Sequence, residues 1–255
     1  MNDQELAEYL AKETGRIIAQ VAADRFEELS ADELGAAGDL AGHEYLVHTL
    51  AKHRPLDHLL SEEGEDNLGR LSANRVWIVD PLDGTSHYSN FEADYAVHIA
   101  LWERDSAAKF KITASGISVP ALDLLVGMNP AGPIADWVGP IRILVSATRP
   151  PIEIDVICEK LKTKFPELGE PKLIPMGSVG AKLTQILAGN ADLYINTGGF
   201  YEWDIAAPAA IATAHGLTAC DIEGAELVFN QENVYVPTAI IGHPHLVSAI
   251  TEVQR

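Results

Sequence analysis

The second half of the chain alternates strand-like and helix-like segments, and this alternation is the feature that most restricts the fold. From about residue 140, the β-branched runs IRILVSA, KLIPM and ADLYIN are each followed by an amphipathic or alanine-rich run of helical length. Gly189 and Gly216 stand where two of these helices should stop. The runs AELVF and TAIIG predict further short strands, and HPHLVSAITEV predicts a closing helix. Such alternation is typical of an α/β unit with a parallel or mixed sheet.

The first half has a different order, with helices followed by strands. Apolar residues at helical spacing predict helices over residues 3–23 and 40–52. Between them, FEELSADELGAAGD is polar and rich in glycine, so it predicts a loop, with Glu27–Ala37 as a flap that closes over a site. RVWIVD, YAVHIALWE and KFKITASGISV then predict three strands. The pattern is α+β.

The segment MNPAGPIADWVGP is rich in proline and glycine and marks the expected boundary near Pro140. We therefore expect an α/β protein of two halves, an α+β half over residues 1–139 and an α/β half over residues 140–255. A chain of 255 residues can bury a core without disulfide or metal staples.

The charge balance restricts the partners of this chain. Eighteen basic and 37 acidic residues give a formal net charge of −19, which argues against a nucleic-acid polymer or an anionic membrane as partner. If the substrate is anionic, bound metal cations would supply the missing positive charge. Cys158 and Cys220 form no disulfide framework, and the sequence has neither a signal-peptide pattern nor a long apolar run. A cytoplasmic location is expected.

The segment DPLDGT at residues 80–85 is the densest chemical signal. Its two carboxylates leave the end of a buried strand, and they repel each other unless a cation lies between them. Aspartate oxygens together with the Leu82 carbonyl suit Mg²⁺, which keeps positions open for water and phosphate oxygens. The backbone N–H groups of Gly84 and Thr85 are placed to form an anion site beside the metal. The alternative is a proline turn in which the aspartates only cap backbone groups.

Four further acidic residues have ordinary structural explanations when each is taken alone. Glu62 and Glu63 stand beside a glycine, as in a solvated turn. Asp204 begins an alanine-rich segment, and Asp39 is expected to open the second helix, so both are candidate N-caps.

The order of these acids resembles a known group of enzymes. A Glu-Glu pair, then DPLDGT, then WDIAA is similar to the lithium-sensitive, magnesium-dependent phosphatase superfamily that includes inositol monophosphatases, and the DPLDGT–WDxAA pair is highly specific. Within it, GSVGAKLTQILAGNADLYIN and YEWDIAAP resemble the bacterial 3′(2′),5′-bisphosphate nucleotidases of the CysQ type. The resemblance implies a layered αβαβα sandwich with the active site between the halves, and often a homodimer.

The resemblance also implies roles for individual residues. Two or three Mg²⁺ ions would be held by Glu62, Asp80, the Leu82 carbonyl, Asp83 and Asp204. Asp39 would pair with Thr85, and these two would orient and deprotonate the water that attacks the phosphate monoester. Glu62 would be a catalytic residue through the metals that it helps to bind. Glu63 would support the site from behind.

Substrate recognition is implied at a wider set: Glu62, Leu82, Asp83, Gly84, Thr85, Gly177, Ser178, Lys182 and Asp204. Gly177, Ser178 and Lys182 lie at the start of a predicted helix, where a second phosphate can bind. The alternative is that Lys182 is a surface lysine. Tyr201, Trp203 and residues 229–231 either flank an adenine or pack as ordinary core.

One departure bears on the substrate. Bacterial bisphosphate nucleotidases usually follow DPLDGT with a basic residue, an acid and a phenylalanine, whereas this chain has Ser86, His87 and Tyr88. Loss of the basic residue favours a broader sugar- or inositol-phosphate phosphatase. His87 is expected to face solvent.

The leading hypothesis is a Mg²⁺-dependent phosphomonoesterase that converts the small metabolite adenosine 3′,5′-bisphosphate to AMP and phosphate. The resemblance connects this activity with sulfate assimilation. The alternatives are an inositol-1-monophosphatase or fructose-1,6-bisphosphatase-like sugar phosphatase, and a non-catalytic phosphate- or metal-binding module. Every acid of the motifs is present, which argues against the last.

Overall fold

Two five-stranded sheets and their covering helices dominate the computed structural model, which describes residues 1–104, 110–130, 132, 134 and 139–251. The helices are α1 (Asp3–Arg25), α2 (Ala31–His53), α3 (Thr85–Ser89), α4 (Ile154–Lys164), α5 (Val179–Leu187), α6 (Glu202–Ala214) and α7 (Pro244–Thr251). The strands are β1 (His58–Ser61), β2 (Arg75–Asp83), β3 (Ala96–Arg104), β4 (Phe110–Val119), β5 (Leu124–Gly127), β6 (Arg142–Ser146), β7 (Lys172–Met176), β8 (Leu193–Asn196), β9 (Phe200–Tyr201), β10 (Thr218–Cys220), β11 (Tyr235–Val236) and β12 (Ala239–Gly242). Short 3₁₀ turns span Leu68–Ser72, Pro120–Leu122 and Pro166–Leu168.

The two large sheets differ in topology. The first has the order β1-β2-β3-β4-β5 and is antiparallel except for the β1–β2 pair. The second has the order β10-β12-β8-β6-β7, with β6 parallel to both β7 and β8 and the other pairs antiparallel. The mixed sheet expected from the alternating second half is therefore confirmed.

The apolar runs are continuous because helices cover both faces of each sheet. On β2, Trp77 and Val79 pack against α1 and α2, while Val76 and Ile78 point into a middle layer formed by α5 and α6. The second sheet faces that layer with residues such as Leu144, and its other face packs on α4 and α7. The layers are thus α1/α2, sheet, α5/α6, sheet and α4/α7, which confirms the αβαβα sandwich.

The division at Pro140 remains a prediction. The strands of the first sheet lie between residues 58 and 127 and those of the second between 142 and 242, but part of the expected boundary, at residues 131, 133 and 135–138, lies outside the described residues.

The expected loop at Glu27–Ala37 is wrong over most of its length, because α2 begins at Ala31. Ser30 caps this helix: its hydroxyl accepts from the Glu33 N–H, and the Glu33 carboxylate accepts from the Ser30 N–H at 2.9 Å. The expectation that Asp39 opens a helix is wrong for the same reason. Asp39 lies in the third turn of α2.

The strand expected at AELVF is also absent, since residues 225–229 form no ladder. Asp221 binds this turn instead, its carboxylate accepting from the N–H groups of Glu223 and Ala225 at 2.9 and 2.7 Å. Among the described residues, no helix is long and apolar enough to cross a membrane.

Candidate active site

Asp80 lies near the carboxyl end of β2, and its side chain points into the interior of the protein. The Asp80 side chain is fully buried, and its Oδ1 accepts a hydrogen bond from the Leu82 N–H at 2.9 Å. Its Oδ2 has no hydrogen-bond partner among the described residues. A buried carboxylate oxygen without a donor is costly unless a cation or a proton meets it. The chain then turns at Gly84, whose φ of +90° favours glycine.

Asp83 is held by the first turn of α5. Its Oδ2 accepts from the Ser178 hydroxyl and from the Val179 N–H, both at 2.6 Å, and from the Gly180 N–H at 3.4 Å. The unpaired N–H groups at a helix N-terminus are suited to a carboxylate. This contact joins the DPLDGT segment to the second half of the chain.

Asp204 enters from the first turn of α6. It is not the N-cap that the sequence suggests; it is the third residue of the helix, and its Oδ2 accepts from the Tyr201 N–H at 2.6 Å. Burial, together with the negative charges of Asp83 and Glu62, raises the pKa of Asp204 to about 8. A carboxylate with this pKa is in an environment where burial and negative charge outweigh the nearby positive charge.

Asp80, Asp83 and Asp204 each place one carboxylate oxygen within 4.8 Å of the other two. Burial and the charges of its acidic neighbours raise the pKa of Asp80 well above its ordinary value. Clustered oxygen donors, one of them an unpaired buried atom, fit a hard divalent cation such as Mg²⁺. The residues present therefore fit the metal group expected from the motifs.

Glu62 and Asp39 extend this cluster of negative charge. Partial burial and neighbouring carboxylates raise the pKa of Glu62 to about 7. Burial and the charge of Glu63 raise the pKa of Asp39 to about 7 as well, and Asp39 Oδ1 has no partner among the described residues. Glu62 lines the cavity beside the three aspartates.

The hydrogen bond expected between Asp39 and Thr85 is not formed among the described residues. The Thr85 hydroxyl donates to the Leu82 carbonyl at 3.1 Å. Thr85 packs against α2 one turn before Asp39, where a Cβ on Gly35 would lie 2.8 Å from its Cγ2.

The N–H groups expected to bind a second phosphate are already occupied. Besides the α5 groups bound to Asp83, the N–H of Gly177 donates to Asp94 Oδ2 at 2.5 Å, and that of Ser178 donates to the Asp94 carbonyl at 2.9 Å. These N–H groups therefore already have acceptors within the chain, while Gly177 lines the cavity. Binding of a second phosphate at this helix N-terminus remains a prediction.

Lys182 is neither a surface lysine nor a residue that lines the cavity. Its side chain is buried, and its Nζ donates to the backbone carbonyls of Gly177 and Ser178 and lies 5.1 Å from the centre of the Tyr194 ring. Burial lowers its pKa to about 8. In this geometry its ammonium group fixes the turn at residues 177–178 from behind.

His87 does not face solvent as expected. Its side chain is 13% exposed, and its Nδ1 lies 2.8 Å from Asp94 Oδ1 and 2.7 Å from Glu92 Oε2. The ring packs against Gly177, where a Cβ would lie 2.7 Å from it, and it lines the cavity.

Sequence reasoning missed the loop after β6. Ser146, Ala147, Thr148 and Arg149 line the cavity, which has a volume of about 250 Å³. Arg149 places a guanidinium in an otherwise acidic site, and its charge counteracts part of the rise in the pKa of Asp204. A position just after a parallel strand was the available signal, since ligands bind at the carboxyl ends of such strands.

The aromatic residues proposed for adenine form a stack outside the cavity lining. Tyr201 and Trp203 stack at 4.9 Å between ring centres, and the Tyr201 side chain is 46% exposed. Asn230 serves the fold instead: it is buried, its N–H donates to Glu202 at 2.6 Å and its amide oxygen accepts from Arg70 at 2.7 Å.

Comparison with known proteins supports the resemblance on which the site assignment rests. The model of the inositol monophosphatase family matches residues 2–114 and 143–255. The "3′-phosphoadenosine 5′-phosphate phosphatase" of Mycobacterium bovis is 38% identical over 259 residues, covering 95% of this chain and 91% of the relative. The "3′(2′),5′-bisphosphate nucleotidase CysQ" of Escherichia coli K12 is 27% identical over 205 residues, covering 78% and 81%.

Solved structures with a similar fold also include members of the inositol monophosphatase family. CysQ from Bacteroides thetaiotaomicron, described as a bacterial member of the inositol monophosphatase family, superposes with a TM-score of 0.77 at 26% identity, over 93% of this chain and 95% of its own. Staphylococcal inositol monophosphatase II has the same fold, with a TM-score of 0.77 at 20% identity over 98% and 91% of the two chains. The fold, the acidic motifs and the match along nearly the whole length give one conclusion: the chain belongs to the inositol monophosphatase family.

Proposed function

We propose that the enzyme is a Mg²⁺-dependent 3′(2′),5′-bisphosphate nucleotidase that hydrolyses adenosine 3′,5′-bisphosphate to AMP and phosphate. The observation that carries this proposal is the convergence of Asp80, Asp83 and Asp204 beside Glu62. These side chains would hold the cations, with the Leu82 carbonyl as a further candidate. When bound, Mg²⁺ supplies Lewis-acid stabilisation of the phosphate and lowers the pKa of water.

Side chains of the protein would accept the proton of the attacking water and hold the turn that faces the phosphate. A water oxygen would attack phosphorus in line while the bond from phosphorus to the ester oxygen breaks, and one water proton would go to a carboxylate. The departing oxygen would take up a proton from solvent and become the free hydroxyl of AMP. Asp39 and Glu62 are the candidate bases. In the metal-free protein the pKa of each is raised to about 7; bound Mg²⁺ would lower the pKa of its ligand Glu62, so Asp39 is the first candidate. The Thr85 hydroxyl, held on the Leu82 carbonyl, fixes the turn that faces the phosphate.

The preference for a bisphosphate nucleotide is supported by the relatives and by Arg149. The Mycobacterium bovis relative described above, 38% identical to this chain, carries the name of a phosphatase for 3′-phosphoadenosine 5′-phosphate. In this chain Arg149 supplies the cavity with a guanidinium, which is suited to binding a phosphate. The stacked pair Tyr201–Trp203 stands next to Asp204 and is a candidate surface for the adenine.

Steady-state kinetics on three substrates tests the assignment. We expect kcat/KM for adenosine 3′,5′-bisphosphate to exceed the values for inositol 1-phosphate and fructose 1,6-bisphosphate, with activity that requires Mg²⁺ and is inhibited by Li⁺. A higher kcat/KM on inositol 1-phosphate would overturn the substrate assignment. Absence of phosphate release from all three would overturn the assignment as an enzyme.

The second candidate is an inositol- or sugar-phosphate phosphatase, favoured by Ser86, which lines the cavity where related nucleotidases usually have a basic residue. The same kinetic comparison decides between the two. A cytoplasmic location, a role in sulfate assimilation and a homodimer remain predictions.

A further inference from the structure

A histidine that no motif includes lies beneath the cluster of aspartates. His98 is the third residue of β3, directly opposite Asp80 in the antiparallel ladder, and its side chain is fully buried. Its neighbours on the same face of the strand are Ala96, Ala100 and Trp102. A polar ring in such a row is costly unless it has specific partners.

Two parts of the active site meet at this ring. His98 Nε2 lies 3.3 Å from Asp83 Oδ2, and His98 Nδ1 lies 3.3 Å from the carbonyl oxygen of Trp203, the residue before Asp204. The imidazole therefore stands between the end of the DPLDGT segment and the start of α6. It touches an aspartate from one side and the backbone that carries another aspartate from the other.

The helix α5 leaves no spare room around the ring. A Cβ on Gly180 would collide with His98 Nε2, and the Gly180 N–H points at the same Asp83 oxygen, at 3.4 Å. Asp83 Oδ2 is thus enclosed by α5 on one side and by His98 on the other. Hydrogen bonds from Ser178 and Val179 fix this oxygen, and His98 Nε2 lies in contact with it without a hydrogen bond among the described residues. Rotation of the Asp83 carboxylate is therefore restricted, and its second oxygen is the one left to bind a cation.

We propose that His98 is a positioning residue for the metal site, and that it acts through its Nε2 contact with Asp83. The inference rests on the Mg²⁺ site proposed above. Groups that support a metal ligand from behind typically change metal affinity or activity by about 10–100-fold when they are removed. His98 would touch neither the substrate nor the metal.

Three substitutions separate this role from simple packing. His98→Gln places an amide near the position of Nε2, His98→Asn places one near Nδ1, and His98→Leu fills the space without a polar atom. We expect Mg²⁺ to bind the Gln variant with an affinity close to the parent value. We expect binding to the Asn and Leu variants to weaken by about 10-fold or more.

The measurement is titration calorimetry of the full chain with Mg²⁺ in the presence of inorganic phosphate. The melting temperature of the metal-free protein is recorded for every variant, so that a loss of folding is seen separately. His215→Asn is the matched control, because this half-buried histidine bonds the Gly127 carbonyl at 3.0 Å at the far end of α6. It should leave Mg²⁺ affinity at the parent value.

The outcomes distinguish the claims. Parent-like Mg²⁺ affinity in the Leu variant overturns the role of His98 while leaving the proposed function intact. An affinity in the Gln variant as low as in the Asn variant overturns the Asp83 contact as its route, and this comparison decides the matter even if the Leu variant does not fold. No Mg²⁺ uptake by the parent protein overturns both this inference and the proposed metal site.

Discussion

Asp80 is the residue on which the electrostatics of the site can be tested most simply. Its carboxylate is buried with one unpaired oxygen, and its neighbours are acidic. We expect Asp80→Asn to stabilise the metal-free protein at about pH 8, because it removes a buried charge that has no positive partner. The same change should abolish the stabilisation by Mg²⁺ and lower kcat/KM by more than about 100-fold.

Thermal melts with and without Mg²⁺, together with kinetics, check the Asp80 prediction. Asp123→Asn is a suitable control, since this residue lies in a turn before β5 and is not among the residues that line the cavity. An Asp80→Asn enzyme that keeps its Mg²⁺ response would contradict the assignment of Asp80 as a ligand.

Arg149 is expected to recognise the part of the substrate beyond the scissile phosphate. A hydrogen bond to a charged group contributes about 1.5–3 kcal/mol, so Arg149→Ala should raise the KM for adenosine 3′,5′-bisphosphate by about 10-fold or more. The KM for a monophosphate such as 2′-AMP should change little. Arg16→Ala, which breaks an exposed pair with Glu13, serves as the control. Equal effects on both substrates would count against selective recognition.

Sequence reasoning identified the aspartates but neither the buried histidine beneath them nor the arginine in the cavity. DPLDGT and WDIAA are local signals that can be read directly, and Asp80, Asp83 and Asp204 do converge. His98 and Arg149 carry no local signal of this kind. Their roles depend on which strands and loops meet in three dimensions.

At the scale of the elements, α2 is the clearest case in which tertiary contact overrides composition. Its glycines suggested a loop, yet they lie where the helix touches the active-site turn. A Cβ on Gly38 would lie 2.8 Å from Tyr88 Cε1. The glycines thus allow α2 to approach the first sheet closely, at the expense of helix propensity.

The close contact between Gly35 and Thr85 predicts that a Gly→Ala substitution here lowers stability, whereas such a substitution in a helix usually raises it. Glycine to alanine in a helix normally stabilises by up to about 1 kcal/mol. Gly35→Ala should instead destabilise the protein and lower kcat, because the new methyl group would push against Thr85. Denaturant unfolding and kinetics measure both effects.

The exposed neighbour Ala36 provides the matched control for α2. Ala36→Gly should cost about 1 kcal/mol through propensity alone and leave kcat unchanged. A Gly35→Ala protein with greater stability and full activity would show that the contact is not tight.

Strands with an apolar or β-branched run of their own were predictable, and strands without one were not. The predicted strands are β2, β3, β4, β6, β7, β8 and β12, of which β8 and β12 have only four residues; the strands that were not predicted are β1, β5, β9, β10 and β11, which have two to four residues and depend on pairing with a neighbour. The capping box at Ser30 and Glu33 was present in the sequence and would have moved the start of α2 to its observed place.

At the scale of the whole molecule, the acidic cluster couples stability to pH and to metal. The pKa of Glu62 is raised to about 7 and that of Asp204 to about 8, so the folded state keeps protons that the unfolded chain releases near pH 4. The stabilisation from these two groups is complete below their ordinary pKa and is lost as the pH rises through 7 to 8.

Metal-free protein should therefore lose this contribution between about pH 5 and pH 8, and Mg²⁺ should stabilise it more at pH 8 than at pH 5. Melting temperatures with a chelator or with Mg²⁺ measure the effect. The Glu62→Gln, Asp204→Asn double variant should show a flatter pH dependence and little response to Mg²⁺. A Mg²⁺ stabilisation that is the same at both pH values would contradict the linkage.

The account depends most on the claim that four side chains from both halves of the chain bind shared divalent ions. A crystal structure with Mn²⁺ in place of Mg²⁺ and with inorganic phosphate tests it directly, because the metal is located by its anomalous scattering. The account predicts metal peaks bound by Asp80, Asp83, Asp204 and Glu62, with phosphate oxygens completing the coordination. Phosphate bound there without metal, or metal found only at the neighbouring His87, Glu92 and Asp94 group, would contradict it.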